Sequence, residues 1–159
     1  MPDVIFEDFT IQVKAELNDR LIRALETAAA TIERSAKRNT RVGRGGGSGT
    51  KGKWKHFVDP AALAAYIGNT EENAIWEEFG TGEYALNDGR QTPWYVPVEG
   101  YTGKKRPTFN GKVVIVYGKN GVAFYKTNGK KPSRALYKAF EAKKKTVEKI
   151  FHDELGGMK

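Results

Sequence analysis

Two stretches of helical apolar spacing bracket a middle rich in β-branched, aromatic and turn-forming residues, and that order limits the chain to an α+β architecture. Leu17, Leu21, Leu25, Ala28, Ile32 and Ala36 recur every three or four residues, with Arg20, Arg23 and Arg34 off the stripe. The spacing predicts a long amphipathic helix ending near Asn39. Alanines at 28, 29 and 30 would let a sheet or a second helix approach closely. A second stripe, Leu136, Phe140, Val147, Phe151 and Leu155, predicts a last helix that opens at Pro132 or Ser133 and stops at Gly156-Gly157.

Between the stripes, short runs read as strands. Trp54 to Val58 and Leu63 to Gly68 lie on either side of Asp59-Pro60, where proline cannot donate to a ladder. Tyr66 to Gly68 and Ala74 to Phe79, with turn formers from Asn69 to Asn73, predict a hairpin that stops at Gly80-Thr81-Gly82. On that reading Ala74, Trp76 and Glu78 share one face and Ile75, Glu77 and Phe79 the other. Val113 to Tyr117 and Val122 to Tyr125 flank Gly118-Lys119-Asn120-Gly121, a second hairpin signal because Asn and Gly tolerate positive φ. Val4 to Val13 alternates as a short strand or extended lead-in, and residues 84–110, rich in Gly, Pro and aromatics, read as an irregular excursion. The expectation is one domain over residues 1–159, a mainly antiparallel sheet packed against the long N-terminal-half helix and the C-terminal helix.

A length of 159 residues with 39% apolar content suits a single sizeable core. With no cysteine, disulfides and thiolate metal sites are excluded. No apolar run approaches the roughly 20 residues that span a bilayer, so no membrane partner is expected. Met1-Pro2-Asp3 lacks the basic start and apolar middle of a secretory signal, and assembly inside the cell is expected.

The net charge of +8 is unevenly spread. Arg34, Lys37, Arg38, Arg41, Arg44, Lys51, Lys53 and Lys55 fall between Arg34 and Val58 without one acid. Asp59, Glu71, Glu72, Glu77, Glu78, Glu83 and Asp88 follow between His56 and Gly89 without one Lys or Arg. Within the basic block, residues 43–53 form a Gly-rich loop whose composition cannot bury enough apolar surface to offset the entropy of ordering it.

The order of these features resembles the tail-component family of long-tailed double-stranded DNA bacteriophages. The resemblance is carried by a helix ending in Ala36-Lys37-Arg38, a basic Gly-rich segment and the run Trp76-Glu77-Glu78-Phe79-Gly80-Thr81-Gly82. Tyr84-Ala85 follows, and later Lys131-Pro132-Ser133-Arg134-Ala135-Leu136. It extends from the first helix to about Phe140. The chain departs from the family at Thr40-Arg41-Val42-Gly43-Arg44 and at Pro132-Ser133. The resemblance implies a virion protein of the neck, assembled in the host cytoplasm, that completes the tail or joins it to the head. It implies a homo-oligomeric ring, six-fold by analogy with tail architecture, around a DNA channel. Head-closure, tail-terminator or tail-tube proteins would be its neighbours.

The basic loop has three readings: a solvated linker, a phosphate contact that weakens with salt, and a contact with the next subunit. The side-by-side charge blocks favour the third. In it, Arg38, Arg41, Arg44, Lys51, Lys53 and Lys55 of one copy would meet Glu71, Glu72, Glu77, Glu78 and Glu83 of the next. Such head-to-tail contacts close into rings when the rotation fits. Trp94 and Tyr95, in the apolar run Thr92 to Pro97, are candidates for an aromatic interface. A different class of function, a monomeric sequence-independent DNA-binding protein, would use the same cations.

Catalysis finds no support in the residues. Gly80-Thr81-Gly82 lacks the rest of a dinucleotide fingerprint or P-loop. Adjacent Glu77 and Glu78 would point to opposite faces of a strand. Glu141-Ala142-Lys143 lies on a predicted helix without an acidic partner, and His56 and His152 are too isolated for a zinc site or a triad. No cofactor is expected, and the protein is expected not to be an enzyme.

Overall fold

Ala, Leu, Arg and Glu dominate residues 10–39, all strong helix formers, and they produce one uninterrupted helix. The computed structural model describes residues 10–40, 49–86 and 92–156 and is α+β. In chain order it holds α1 (Thr10–Asn39), α2 (Gly49–Gly52), β1 (Trp54–Asp59), β2 (Ala64–Asn69), α3 (Asn73–Phe79), a 3₁₀ turn (Gly82–Tyr84), β3 (Trp94–Pro97), β4 (Val114–Tyr117), β5 (Ala123–Thr127) and α4 (Ala135–Leu155). The chain divides into two compact units, residues 1–70 with 136–159, and residues 71–135.

In the first unit, α1 lies across an antiparallel pair of strands. Trp54, His56 and Val58 of β1 point toward the helix and alternate with exposed Lys55 and Phe57. The strands join through Asp59, whose Oδ1 accepts from the backbone of Ala61 (2.9 Å) and Ala62 (3.1 Å), while Leu63 takes a positive φ of 48°. The interior is made largely of small side chains: Ala24 and Ala36 are fully buried, and Ala28, Ala29, Ile32 and Trp54 nearly so. Trp54 Nε1–H donates to Thr40 Oγ1 at 2.7 Å, and the Thr40 hydroxyl donates to the Ala36 carbonyl at 2.8 Å, which ties the end of α1 to the start of β1. Helix α4 runs back along α1. Arg20 donates to the Glu154 carbonyl at 3.3 Å, Arg23 stands 3.6 Å from the Glu154 carboxylate, and Ile32 shares an apolar groove with Phe140 and Val147.

In the second unit a three-stranded antiparallel sheet has the order β3-β5-β4. Tyr125 on the central strand is its buried anchor, with Tyr101 packed edge-on at 5.4 Å. The β4–β5 hairpin turns through Gly118 to Gly121, as the Asn-Gly step predicts.

Five expectations change. Ala74 to Phe79 is not a strand but the helix α3, so the hairpin expected from Tyr66 to Phe79 does not form and β2 pairs with β1 instead. Ala74, Glu77 and Glu78 are good helix formers, and Gly80 at φ 76° closes the turn by donating to the Trp76 carbonyl at 2.9 Å. Residues 10–13 belong to α1 rather than to a strand, while the rest of that predicted lead-in lies outside the described residues. The stretch 84–110 is not wholly irregular, because Trp94–Pro97 pairs with β5. There are two sheets where one was expected, and within the Gly-rich loop residues 49–52 make a helical turn.

Candidate interface surfaces

The run Glu78-Phe79-Gly80-Thr81-Gly82 and the distant Lys131-Pro132-Ser133 segment meet in the second unit. Thr81 N–H donates to the Lys130 carbonyl (3.0 Å), and Lys130 N–H returns a bond to Thr81 Oγ1 (2.9 Å). Glu83 N–H donates to the Asn128 carbonyl (2.8 Å), and the Ser133 backbone and hydroxyl both donate to the Glu77 carbonyl. The strands of backbone run so close that glycine is required. A Cβ on Gly129 would lie 2.0 Å from the Thr81 carbonyl oxygen, and one on Gly82 would lie 2.5 Å from that of Asn128. Gly80-Thr81-Gly82 is thus a clasp for two chain segments, not a phosphate cradle.

This clasp orients α3, and the orientation is inverted for a helix packed on its own unit. Ala74 faces inward and is buried, while Ile75, Trp76 and Phe79 face outward. Ile75 is 60% exposed, and Glu72 stands on the same outward side one turn before it. Glu77 points the other way and pairs with Lys130.

The β1–β2 hairpin is built similarly. Its inner face meets α1, and its outer face carries Phe57 directly opposite Tyr66, 63% and 58% exposed. Lys55 is two residues along on the same side, opposite Gly68, where a side chain would find open space. Lys53 continues the alternation and is also exposed. The β3-β5-β4 sheet carries a groove of about 510 Å³ lined by exposed Tyr95 and half-buried Val116, Phe124 and Lys126.

Of the cations expected to act together, Arg38 is exposed in the last turn of α1, Lys51 is half-buried in α2, and Lys53 and Lys55 are exposed at the start of β1. Arg41 and Arg44 lie outside the described residues. Of the acids, Glu71 and Glu72 lead into α3, Glu78 is half-buried, and Glu83 accepts from Asn128 Nδ2 at 2.7 Å. Trp94 packs edge-on against Trp76 at 6.1 Å, leaving Tyr95 as the exposed member of that pair. No protein family, curated protein or solved structure matches the chain.

Sequence reasoning missed a charged cluster in the first unit. His56 Nδ1 bonds to Glu33 Oε2, His56 Nε2 stands 2.9 Å from Glu26 Oε1, and Lys37 pairs with Glu33. With both ring nitrogens facing carboxylates, the imidazolium can donate at each. The bond to Glu33 therefore raises the His56 pKa against the opposing effect of burial. Burial pushes the Glu33 carboxyl up, but hydrogen bonds from Lys37 and His56 outweigh it and its pKa is lowered. The signal was available in principle: Glu26, Glu33 and Lys37 share one side of a helix, with only the strand register lacking to bring His56 to them. No helix among the described residues is long and apolar enough to cross a membrane.

Proposed function

We propose that this chain is a structural protein of a bacteriophage neck, forming a homo-oligomeric ring that completes the tail or joins it to the head around the DNA channel. The observation that carries the proposal is the inversion of apolar burial. Alanines fill the interior of the first unit while Phe57, Tyr66, Ile75 and Tyr117 look outward. Exposed apolar patches of this kind, Phe57 with Tyr66 on the first unit and Ile75 with Phe79 on the second, are covered by another protein surface in working assemblies. The bonds from Ser133 to the Glu77 carbonyl support the phage context, since they join the two segments that carry the sequence resemblance, Trp76 to Gly82 and Lys131 to Leu136. Its role is mechanical rather than catalytic, and it belongs to the virion, with head-closure, tail-terminator or tail-tube proteins above and below.

Exposed Arg38, Lys53 and Lys55 favour a second reading, a monomer that grips DNA without regard to sequence. Sedimentation of the purified protein separates the two. A discrete ring-sized species that images as an annulus is expected, and an antibody to the chain should mark the head–tail junction of mature particles. A persistent monomer that retains duplex DNA at low salt and releases it as salt rises would replace the ring with the DNA-binding reading.

A further inference from the structure

We propose that the outer face of the β1–β2 hairpin on one copy seats helix α3 of the next copy, so that the ring is built from this one heterologous contact. The inference rests on the ring reading and names the surfaces that would make it.

The hairpin face presents an aromatic pair, Phe57 and Tyr66, rimmed on one side by Lys55 and Lys53. Gly68, opposite Lys55, has open space where a side chain would stand, so nothing from that position covers the face. Helix α3 presents the reciprocal surface: Ile75 and Phe79, one turn apart, with Trp76 beside them and Glu72 at the N-terminal end. One face is apolar with a basic rim and the other apolar with an acidic end. Apolar centres supply the attraction between such surfaces, while the rim charges fix register and reject a reversed partner. Neither face is complementary to itself, since hairpin on hairpin sets lysines against lysines and α3 on α3 sets glutamates together. Two different patches on one chain that fit each other generate head-to-tail assembly, closing into a ring when the rotation per copy allows.

A pair of one-sided variants tests this directly. Phe57→Glu spoils the hairpin face alone and Ile75→Lys spoils the α3 face alone; both side chains are exposed, so each variant should keep the wild-type melting profile. Each variant by itself should sediment as a monomer. Mixed in equal amounts, the two should form a heterodimer and nothing larger, because only one good face remains on each. As an arm that avoids altering apolar residues, Lys55→Glu should weaken assembly and Glu72→Lys in the same chain should restore it. A wild-type oligomer that neither apolar substitution disturbs overturns this pairing of faces and leaves the ring reading standing. A wild-type chain that is monomeric throughout overturns both. Loss of duplex-DNA retention in Phe57→Glu with assembly intact would assign the hairpin face to nucleic acid and overturn the inference.

Discussion

His56 on β1 and Glu33 on α1 share a charged hydrogen bond that fixes the hairpin's inner face to the long helix. The groups facing the imidazole are Glu26, Glu33 and, through Glu33, Lys37, all from α1; the residue across from it on β2 is the uncharged Ile67. Because the folded pKa of His56 is raised above its ordinary 6.5, its contribution is complete below pH 6.5 and is lost as pH rises through the folded value. Glu33, with a lowered pKa, contributes fully above its ordinary 4.5 and loses that contribution as pH falls below it. The first unit should therefore be most stable between those two values. Urea midpoints measured as pH rises above 6.5 should decline, and His56→Gln should flatten that decline while costing about 1–3 kcal/mol near pH 6.

Gly129 and Gly82 hold the clasp by what they lack. Gly129 sits at φ 101° and Gly82 at φ 60°, each with a carbonyl oxygen where a Cβ would go. Gly129→Ala should cost more than about 3 kcal/mol, since backbone must move as well as adopt a disfavoured φ. Gly121, at φ 72° in the β4–β5 turn, has nothing within 4 Å. Alanine there should cost only about 1 kcal/mol. Thermal melts of the two variants side by side check the contrast.

Trp54 and Thr40 form a buried relay that ends on the Ala36 carbonyl. Thr40→Val keeps the shape but leaves the indole N–H without its acceptor, and should cost about 1–3 kcal/mol by chemical denaturation. Trp54→Ala adds a cavity to the same loss and should cost at least about 3–5 kcal/mol.

Ala28 is 5% exposed where α1 meets its neighbours, and close approach there depends on a methyl group. Ala28→Leu, although it raises the apolar content of the helix, should destabilise the unit by about 1–3 kcal/mol through overpacking. A lowered urea midpoint with unchanged m value is the expected result.

Helical periodicity made α1 and α4 legible, and Asn120-Gly121 made the β4–β5 hairpin legible, because each signal is local. The β1–β2 turn was not recognised, although Asp59 was in view. Its carboxylate bonds to the Ala61 and Ala62 backbone turn Asp59-Pro60 from a break into a hairpin connection. Helix α3 was misread because Ile75, Trp76 and Phe79 have strand-type side chains, and alternation over six residues does not separate the two structures. Trp76 and Phe79 point outward only because Ala74 can sit close to its own unit. The same limit hid the His56 cluster, whose members are 23 and 30 residues apart. Register, not composition, brings them together.

The clasp has a geometric corollary. Since Glu83 and Asn128 are bonded backbone to backbone, the polypeptide between them leaves and returns through a single gate. The whole three-stranded sheet lies on the stretch so closed, and Trp94 ties it to α3 through Trp76, so a lineage could change length there only in connecting turns such as Gly118 to Gly121 while the two ends stay pinned.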